Sequence, residues 1–507
     1  MAEVGKIARS SLWISASFAI ARAAYMISQI VLARKLTEAD LGIWSLVYLV
    51  VVLANLFRES AIAQVLIQRG IEDKKLVNAV YSLGINVSIC VFALQVGVGW
   101  LLSLFITDQI PLLSAQILGF PVQISILIPL TAVTALVFLI GAGAGTHGAV
   151  MSRQMKFREL AICELSAGLA RLGGALVAVH LGAGIWSFAI GELSNAFVES
   201  SLKRSLSGAH FRYQLRPDPA VLSEVIGYIR GMIGVSLAVY TNTSSDNLII
   251  GRLLGVKALG NYNLAYQLAM FPVFIVSTIN RVNLAVISQQ TGDRQRNYVC
   301  RCLELYALVA ALLFGLAFVA APWLIPLLYG QKWLAAVPIF QIVLVFAYAR
   351  GFMHILGTSL NALGYPGKNA FINWMLVPLS VPAYFVGAKL GGAIGVAIAV
   401  ALVMGVVATA WFWLSVCRVA GWQLSTLIQP ILLPTSIAVG SLLLLQVIPL
   451  PLPILLQPLL LISLYGISLS VLSKGEIPRS LLKLIKRTLE REKAPLDLPK
   501  SEGHTDV

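Results

Sequence analysis

The chain has 507 residues, 58% of them hydrophobic and only 12% charged, with a mean hydropathy of +0.85. Soluble domains carry about 25% charged residues, so the composition excludes a soluble enzyme and predicts an all-α, polytopic membrane protein. The net charge of +15 is unevenly spread along the chain. It is therefore a signal of membrane topology, and no nucleic-acid partner is expected.

A membrane-spanning helix needs about 20 mostly apolar residues. Along the chain, fourteen segments meet that need. The first six are 10–32, 41–57, 77–106, 122–145, 161–181 and 184–202. The next six are 225–250, 259–287, 303–328, 335–360, 369–388 and 393–416, and two more follow at 429–448 and 452–472. The first segment, preceded by Lys6 and Arg9, is expected to stay as a transmembrane helix, since no small-residue cleavage site is evident. Segment 77–106 is long enough to tilt or to hold an interfacial turn. Gly141, Gly143, Gly145 and Gly148 are expected to end the fourth helix. Every connection is short, so no soluble domain is inserted.

With fourteen spans both termini share one side. The connections on that side, with the N-terminus, carry 18 Lys and Arg, against 6 on the other. The tail after residue 472 adds eight. The positive-inside rule puts that side in the cytoplasm. Pro478 and the stripe Leu481, Leu482, Ile485 and Leu489, beside Lys483, Lys486, Arg487 and Arg491, fit either an interfacial amphipathic helix or a solvated basic tail.

The chain repeats itself. Leu32-Ala33-Arg34-Lys35-Leu36 and Leu41-Gly42-Ile43-Trp44 correspond, 218 residues on, to Ile250-Gly251-Arg252-Leu253-Leu254 and Leu259-Gly260-Asn261-Tyr262. Leu181-Gly182-Ala183-Gly184-Ile185 matches Leu390-Gly391-Gly392-Ala393-Ile394, 209 residues on. Six helices separate equivalent points, so the copies have the same orientation in the membrane. The expected layout is a six-helix lobe over 1–210, a second over 220–420, two further helices over 425–473, and a basic tail over 474–507.

Five arginines interrupt the apolar segments: Arg22, Arg171, Arg230, Arg281 and Arg350. Each costs at least about 2.5–3.5 kcal/mol at a bilayer centre. Arg230 and Arg281 lie within about two turns of helix ends and can snorkel. Arg22, Arg171 and Arg350 lie near mid-span and are expected to line a hydrated cavity for an anionic cargo, because guanidinium donors match phosphate oxygens in pairs. The apolar segments also hold the acids Glu164, Glu192, Glu199 and Asp246. Asp246 sits in the polar run Asn242-Thr243-Ser244-Ser245-Asp246-Asn247, which must face protein or water. That run suits a gate, an ion site or an interhelical hydrogen-bond cluster. Glu164 and Glu192 are further candidates for gating or ion coupling. Cys90, Cys163, Cys300, Cys302 and Cys417 fit no metal spacing, and no metal or cofactor is expected.

The run Asp246-Asn247-Leu248-Ile249-Ile250-Gly251-Arg252-Leu253-Leu254-Gly255, then Leu259-Gly260-Asn261-Tyr262, resembles the polysaccharide transporter family, the Wzx-type O-antigen and exopolysaccharide flippases. The echo from Leu32 to Trp44 and the basic loop from Arg153 to Arg158 belong to the same resemblance. The superfamily also holds lipid II flippases and multidrug MATE exporters. The resemblance implies a MATE-like fold and no catalysis. It further implies translocation of an undecaprenyl-diphosphate-linked oligosaccharide across the cytoplasmic membrane, with membrane lipids and polysaccharide assembly proteins as partners. A lipid II-type or MATE-type exporter is the alternative within the superfamily. A membrane enzyme of polysaccharide assembly is the alternative outside it, although the connections expected outside are short and hold only Glu38, Asp40 and Asp108 as acids.

Overall fold

The computed structural model describes residues 20–58, 66, 70–106, 124–215, 219–447 and 456–472. All regular structure there is helical. Residues 10–19 of the first expected segment, and the tail with its amphipathic stripe, lie outside the described residues.

Helix α1 covers 20–35 and α2 covers Glu38–Arg58. Thr37, between them, caps α2: its hydroxyl accepts from the Asp40 amide at 3.2 Å, while Asp40 Oδ2 accepts from the Thr37 amide at 2.9 Å. Helix α3, Lys74–Ile106, is one unbroken helix of 33 residues, about 50 Å long at 1.5 Å per residue. Tilting, rather than an interfacial turn, is how such a length fits a bilayer.

Helix α4 spans Ile124–Ile140 and α5 spans Ala144–Arg153. The expected glycine stop occurs, but only its first half breaks the helix. The chain bends by 42° at 141–143, where Gly143 has φ 79°, and Gly145 and Gly148 then lie inside α5. Two helices follow, α6 at Phe157–His180 and α7 at Trp186–Ser207, packed on each other. Their turn needs Gly182 at φ 81° and Gly184 at φ 55°, conformations that carry no steric penalty only for glycine.

The C-terminal half runs through α8 (Pro219–Leu254), α9 (Val256–Ser288), α10 (Gly292–Tyr329) and α11 (Ala336–Ala362). Helix α12 is Pro366–Val400, followed by a π-turn at Ala401–Val407 and α13 at Ala408–Ala420. This largely apolar run of 55 residues would measure about 80 Å if straight, far beyond a bilayer core of about 30 Å. It is not straight. Gly391 and Gly392 leave helical geometry, Gly392 at φ 58°. A methyl group on Gly387 or Gly395 would strike the other's carbonyl, although eight residues of straight helix separate two residues by about 12 Å. The chain therefore doubles back at the glycine pair, the second copy of the motif at Gly182. Leu181 and Leu390, at matching places in the two turns, are both more than 80% exposed.

The two matched L-G motifs meet. Helices α2 and α9 pack together, and a methyl group on Gly42 would overlap the carbonyl oxygen of Val256. One on Gly260 would overlap the carbonyl oxygen of Glu38. Glu38 and Val256 are themselves 218 residues apart, so the contact is the same from both sides. Glycine is required here for the close approach of backbones, the device that lets membrane helices pack tightly.

Helices α14 (Leu424–Val447) and α15 (Gln457–Leu472) close the described chain. They form a separate compact unit with residues 300–320 of α10. Within it, Tyr465 donates to the Leu308 carbonyl at 3.0 Å and Leu461 lies against Gly315. Among the described residues, seven helices are long and apolar enough to cross a membrane, or eight if α4 and α5 count as one bent span. The protein is an all-α, multi-pass membrane protein.

Candidate functional site

Among the described residues, each half of the chain lines a polar cavity. In the N-terminal half it measures about 190 Å³ and is lined by Tyr48, Asn55, Arg171, Glu192, Asn195 and Glu199 among others. Helix α7 supplies Glu192, Asn195 and Glu199 at a spacing of three and four, which places them on one face. Arg171, on α6, forms an ion pair with Glu192 at 2.6 Å. Its guanidinium also stands 5.2 Å from the Tyr25 ring centre, and that of Arg22 stands 4.9 Å from the same ring. Two of the expected arginines thus stand against one aromatic ring. Tyr25 itself donates to Gln267 of α9 at 3.2 Å and accepts from Gln29 at 2.9 Å.

Glu164 and Glu199 turn to a different cation. Lys203 stands 3.8 Å from Glu164 and is hydrogen-bonded to Glu199. The Arg171–Glu192 pairing is invisible in the sequence, because the two residues are 21 positions apart on different helices and meet only when α6 and α7 pack.

In the C-terminal half a cavity of about 240 Å³ is lined by Arg350, His354, Thr358, Asn361, Asn369 and Asn373, together with Phe412 and apolar residues. Arg350, His354, Thr358 and Asn361 fall at intervals of four and three, one stripe down α11. Among the described residues no acid lines this cavity and Arg350 makes no ion pair. Its guanidinium stands 5.9 Å from the Phe346 ring centre. The asparagines hold one another: Asn369 donates to Asn361 Oδ1 at 3.1 Å, and Asn373 donates to Asn369 Oδ1 at 3.0 Å.

The polar run of α8 is packed, not solvated. Asp246 is 2% exposed, accepts from the Tyr262 hydroxyl at 2.7 Å and accepts from the Asn247 amide at 2.8 Å. Asn242 donates to the Asn373 carbonyl at 2.7 Å and accepts from Ser380 at 2.9 Å, tying α8 to α12. The side chains of Arg230 and Arg281 lie outside the described residues.

A set of contacts at the other end of the helices escaped the sequence reading. The Trp333 indole donates to the Ala33 carbonyl at 3.0 Å. Lys332 donates to the Arg34 carbonyl at 3.1 Å and to that of Leu36. Arg34 in turn donates to the Leu328 carbonyl at 2.6 Å and to that of Leu327. Lys257 pairs with Glu38 at 3.0 Å. Each joins the N-terminal half to the C-terminal half, beside the Gly42–Gly260 crossing. Burial lowers the pKa of Lys332 from its ordinary value, and Glu38 and Asp40 pull it back up.

Residues 31–338 match the model of a family described as "Polysaccharide biosynthesis protein". The chain is 25% identical over 380 residues to the lipopolysaccharide biosynthesis protein WzxC of Escherichia coli (strain K12), covering 73% of this chain and 72% of that one. It is 26% identical over 397 residues to the succinoglycan biosynthesis transport protein ExoT of Rhizobium meliloti (strain 1021), covering 76% and 72%. Among solved structures it is similar to a lipid II flippase MurJ in an inward closed conformation, with a TM-score of 0.74 at 14% identity, over 92% of this chain and all of the other. It is also similar to an inward-facing MATE family multidrug transporter of the MOP superfamily, with a TM-score of 0.54 at 15% identity, over 81% and 93%.

Proposed function

Because the chain belongs to the polysaccharide biosynthesis protein family and has the fold of MOP-superfamily transporters, we propose that it carries an undecaprenyl-diphosphate-linked oligosaccharide across the cytoplasmic membrane by alternating access. On this reading it is a transporter and not an enzyme. The moving parts are two six-helix lobes, 1–210 and 220–420, of fourteen helices in all. Their axis passes between Gly42 and Gly260, and the termini lie in the cytoplasm.

One observation carries the proposal: among the described residues, a dense set of contacts joins the halves at one end, and a polar cavity in each half reaches toward the other end. The joined end bears the connections at 34–37, 255–257 and 330–333, which the Lys and Arg count assigns to the outside. The cavities reach toward the ends of α7 and α11 that lead into the basic connections, where Glu199 and Lys203 stand in one half and Asn361 and Asn369 in the other. Such a state opens inward, ready to load a cargo made in the cytoplasm. Transport then requires the outer contacts to part and the inner ends to close.

Arg350 is the anion-binding cation of this scheme. Arg22 and Arg171 add positive potential from the first lobe, with Arg171 partly neutralised by Glu192. The snorkelling pair Arg230 and Arg281 attract the headgroup at the entrance. Asp246, held by Tyr262, is the candidate for gating or ion coupling, with Asn242 and Asn247 as its neighbours. Glu192 and Glu164 change partners as the lobe moves.

The test is export of lipid-linked glycan in cells that depend on this chain. Arg350→Ala should abolish it, and Arg350→Lys should restore it in part, because an ammonium lacks the guanidinium fork. Full export with Ala at both Arg22 and Arg350 overturns the proposal. In vesicles, an Asp246→Asn protein that folds and still responds normally to an imposed proton or sodium gradient removes the coupling role and leaves an anchor.

A further inference from the structure

The chain that leads from α7 toward α8 does not loop freely. Arg204, in the last turn of α7, donates to the Ala142 carbonyl at 2.7 Å, at the bend made by Gly143. Lys156 donates to the Ser207 carbonyl at 2.9 Å, and His147 Nδ1 shares a hydrogen bond of 2.7 Å with the Ser207 hydroxyl. Residues 209–215 then belong to neither helix nor strand, yet they lie along α3. The Arg212 amide donates to Asn78 Oδ1 at 3.0 Å and the Gln214 amide to Ser82 Oγ at 2.8 Å. The Tyr213 hydroxyl donates to Asn86 Oδ1 at 2.7 Å. Asn78, Ser82 and Asn86 are four residues apart, so they form one row with a spacing of about 6 Å. Alternate amides of an extended chain are about 6.6 Å apart on one edge. The row on α3 therefore matches a chain laid against it. The Ser82 hydroxyl donates to the Asn78 carbonyl at 2.7 Å, which turns its lone pairs to the Gln214 amide. Phe211 anchors the segment, its ring centre 4.6 Å from that of His147 and 5.1 Å from that of Tyr81.

We infer that residues 209–215 are a releasable tether that limits how far the inner ends of the two halves part. Leu215, where the docked segment ends, and Pro219, where α8 starts, are four residues apart. A chain of that length reaches at most about 14 Å. While the segment is docked, the start of α8 stays within that distance of Leu215, and so beside α3. Once the segment is released, the chain runs free from Ser207 to Pro219 and reaches about 40 Å. The docking is of a kind that opens. Among the described residues, three hydrogen bonds to side chains and one ring hold the segment on α3 and α5, and Tyr213 and Leu215 are 46% and 77% exposed. Segments with few buried contacts open at a fraction of the cost of global unfolding. The inference rests on the carrier reading above, under which the inner ends must part to load. The docked tether gives a narrow inner mouth and the released tether a wide one.

The experiment measures distances across the inner mouth of the purified full-length protein in nanodiscs, by double electron–electron resonance. Gln154, in the connection after α5, and Gly367, in the first turn of α12, are replaced by p-acetylphenylalanine and spin-labelled through its ketone. Nothing lies within 4 Å of a Cβ added at Gly367, and α12 packs on α8, so that label follows the start of the second half. The double variant Asn78→Ala, Ser82→Ala should raise the population at long distances about tenfold, the size expected of two lost hydrogen bonds. Tyr213→Phe, which removes one bond at an exposed residue, should raise it about threefold, and it stands as the readout if the double variant fails to fold. The pair Ser82→Cys, Gln214→Cys closes the tether in an otherwise cysteine-free chain. The hydrogen bond of 2.8 Å between these residues leaves their Cα atoms at most about 6.7 Å apart, within reach of a disulfide. Oxidation should remove the long distances and reduction should restore them. Unchanged distances in the variants of the row, or long distances that persist in the cross-linked protein, overturn the tether and leave the carrier reading to the export test. A single distance in every form, with inner ends that never part, overturns alternating access and the tether together.

Discussion

Arg171 is held in a way its own segment does not reveal. Its ion pair with Glu192 lies at a cavity wall, with the two side chains 21% and 12% exposed. A partly buried charge that loses its partner destabilises the fold by more than the pair itself contributes. Glu192→Gln alone and Arg171→Ala alone should therefore each lower the melting temperature. The double variant should melt no lower than the worse single one, a coupling of about 0.5–3 kcal/mol between contacting groups. Additive losses in a thermal-shift series would mean that the two residues act independently. Gly42 is the other residue with a sharp expectation. Its close approach to Val256 exists only while α2 and α9 are crossed. Overpacking by one methyl group costs about 1–3 kcal/mol, so Gly42→Ala should shift the population toward the outer-open state by roughly 5–150-fold. In a cysteine-free background, Ser45→Cys, 5% exposed in the native side chain and lining the small gap beneath the crossing, should then label from outside faster. Unchanged labelling would assign Gly42 a purely structural role.

Among the elements, α12 shows how composition hides a turn. A largely apolar run of 55 residues reads as two spans because Gly391 and Gly392 interrupt it, and the structure bears the interruption out. Replacing Gly392, at φ 58°, by Val puts a β-branched residue where it is strained whatever the space. The variant should lose about 1–3 kcal/mol and reach the membrane in reduced amount, visible in its expression level and melting temperature. The same change at Gly466, which is helical with nothing near its Cβ, should have less effect. Helix α5 was not legible as an element, because four glycines in eight residues read as a stop. Glycine weakens a helix by only about 1 kcal/mol relative to Ala, and packing of α5 on α6 and α7 outweighs it.

For the whole molecule, the expected orientation follows from the distribution of Lys and Arg. A cysteine at Gly330, in the connection before Trp333, should label with an impermeant reagent from outside, as should one at Gly119. A cysteine at Gly292, before α10, should not. Labelling of Gly292 from outside would invert the topology and with it the direction assigned to the cavities. The outer contacts make a second prediction. Trp333→Phe keeps an aromatic ring at this fully buried position but removes the indole donor to the Ala33 carbonyl together with the second ring. It should weaken the closed end by about 1 kcal/mol, seen as raised outside labelling of Ser45→Cys with little loss of protein. A result equal to the unaltered protein would show that the indole donor does not hold the halves together.

Class and fold were open to the sequence because they rest on local quantities. Apolar length makes a membrane helix, and a repeated L-G-x-[WY] motif reports duplicated helices, since the same close approach selects the same small residue twice. The mid-span arginines were legible for the same reason: each is costly wherever its helix goes. Their partners were not. Whether Arg171 meets Glu192 or Glu164, whether Arg350 faces an acid, and that Asn361 and Asn369 close around one cavity depend on how helices pack across gaps of eight to tens of residues. The meeting of Gly42 with Gly260, and the seal that Lys332, Trp333 and Arg34 form beside it, likewise come from backbone carbonyls, which every residue carries and no side-chain pattern records. Tertiary structure alone decided which polar groups face each other, because hydrogen bonds and ion pairs depend on distances that the order of residues along separate helices does not set.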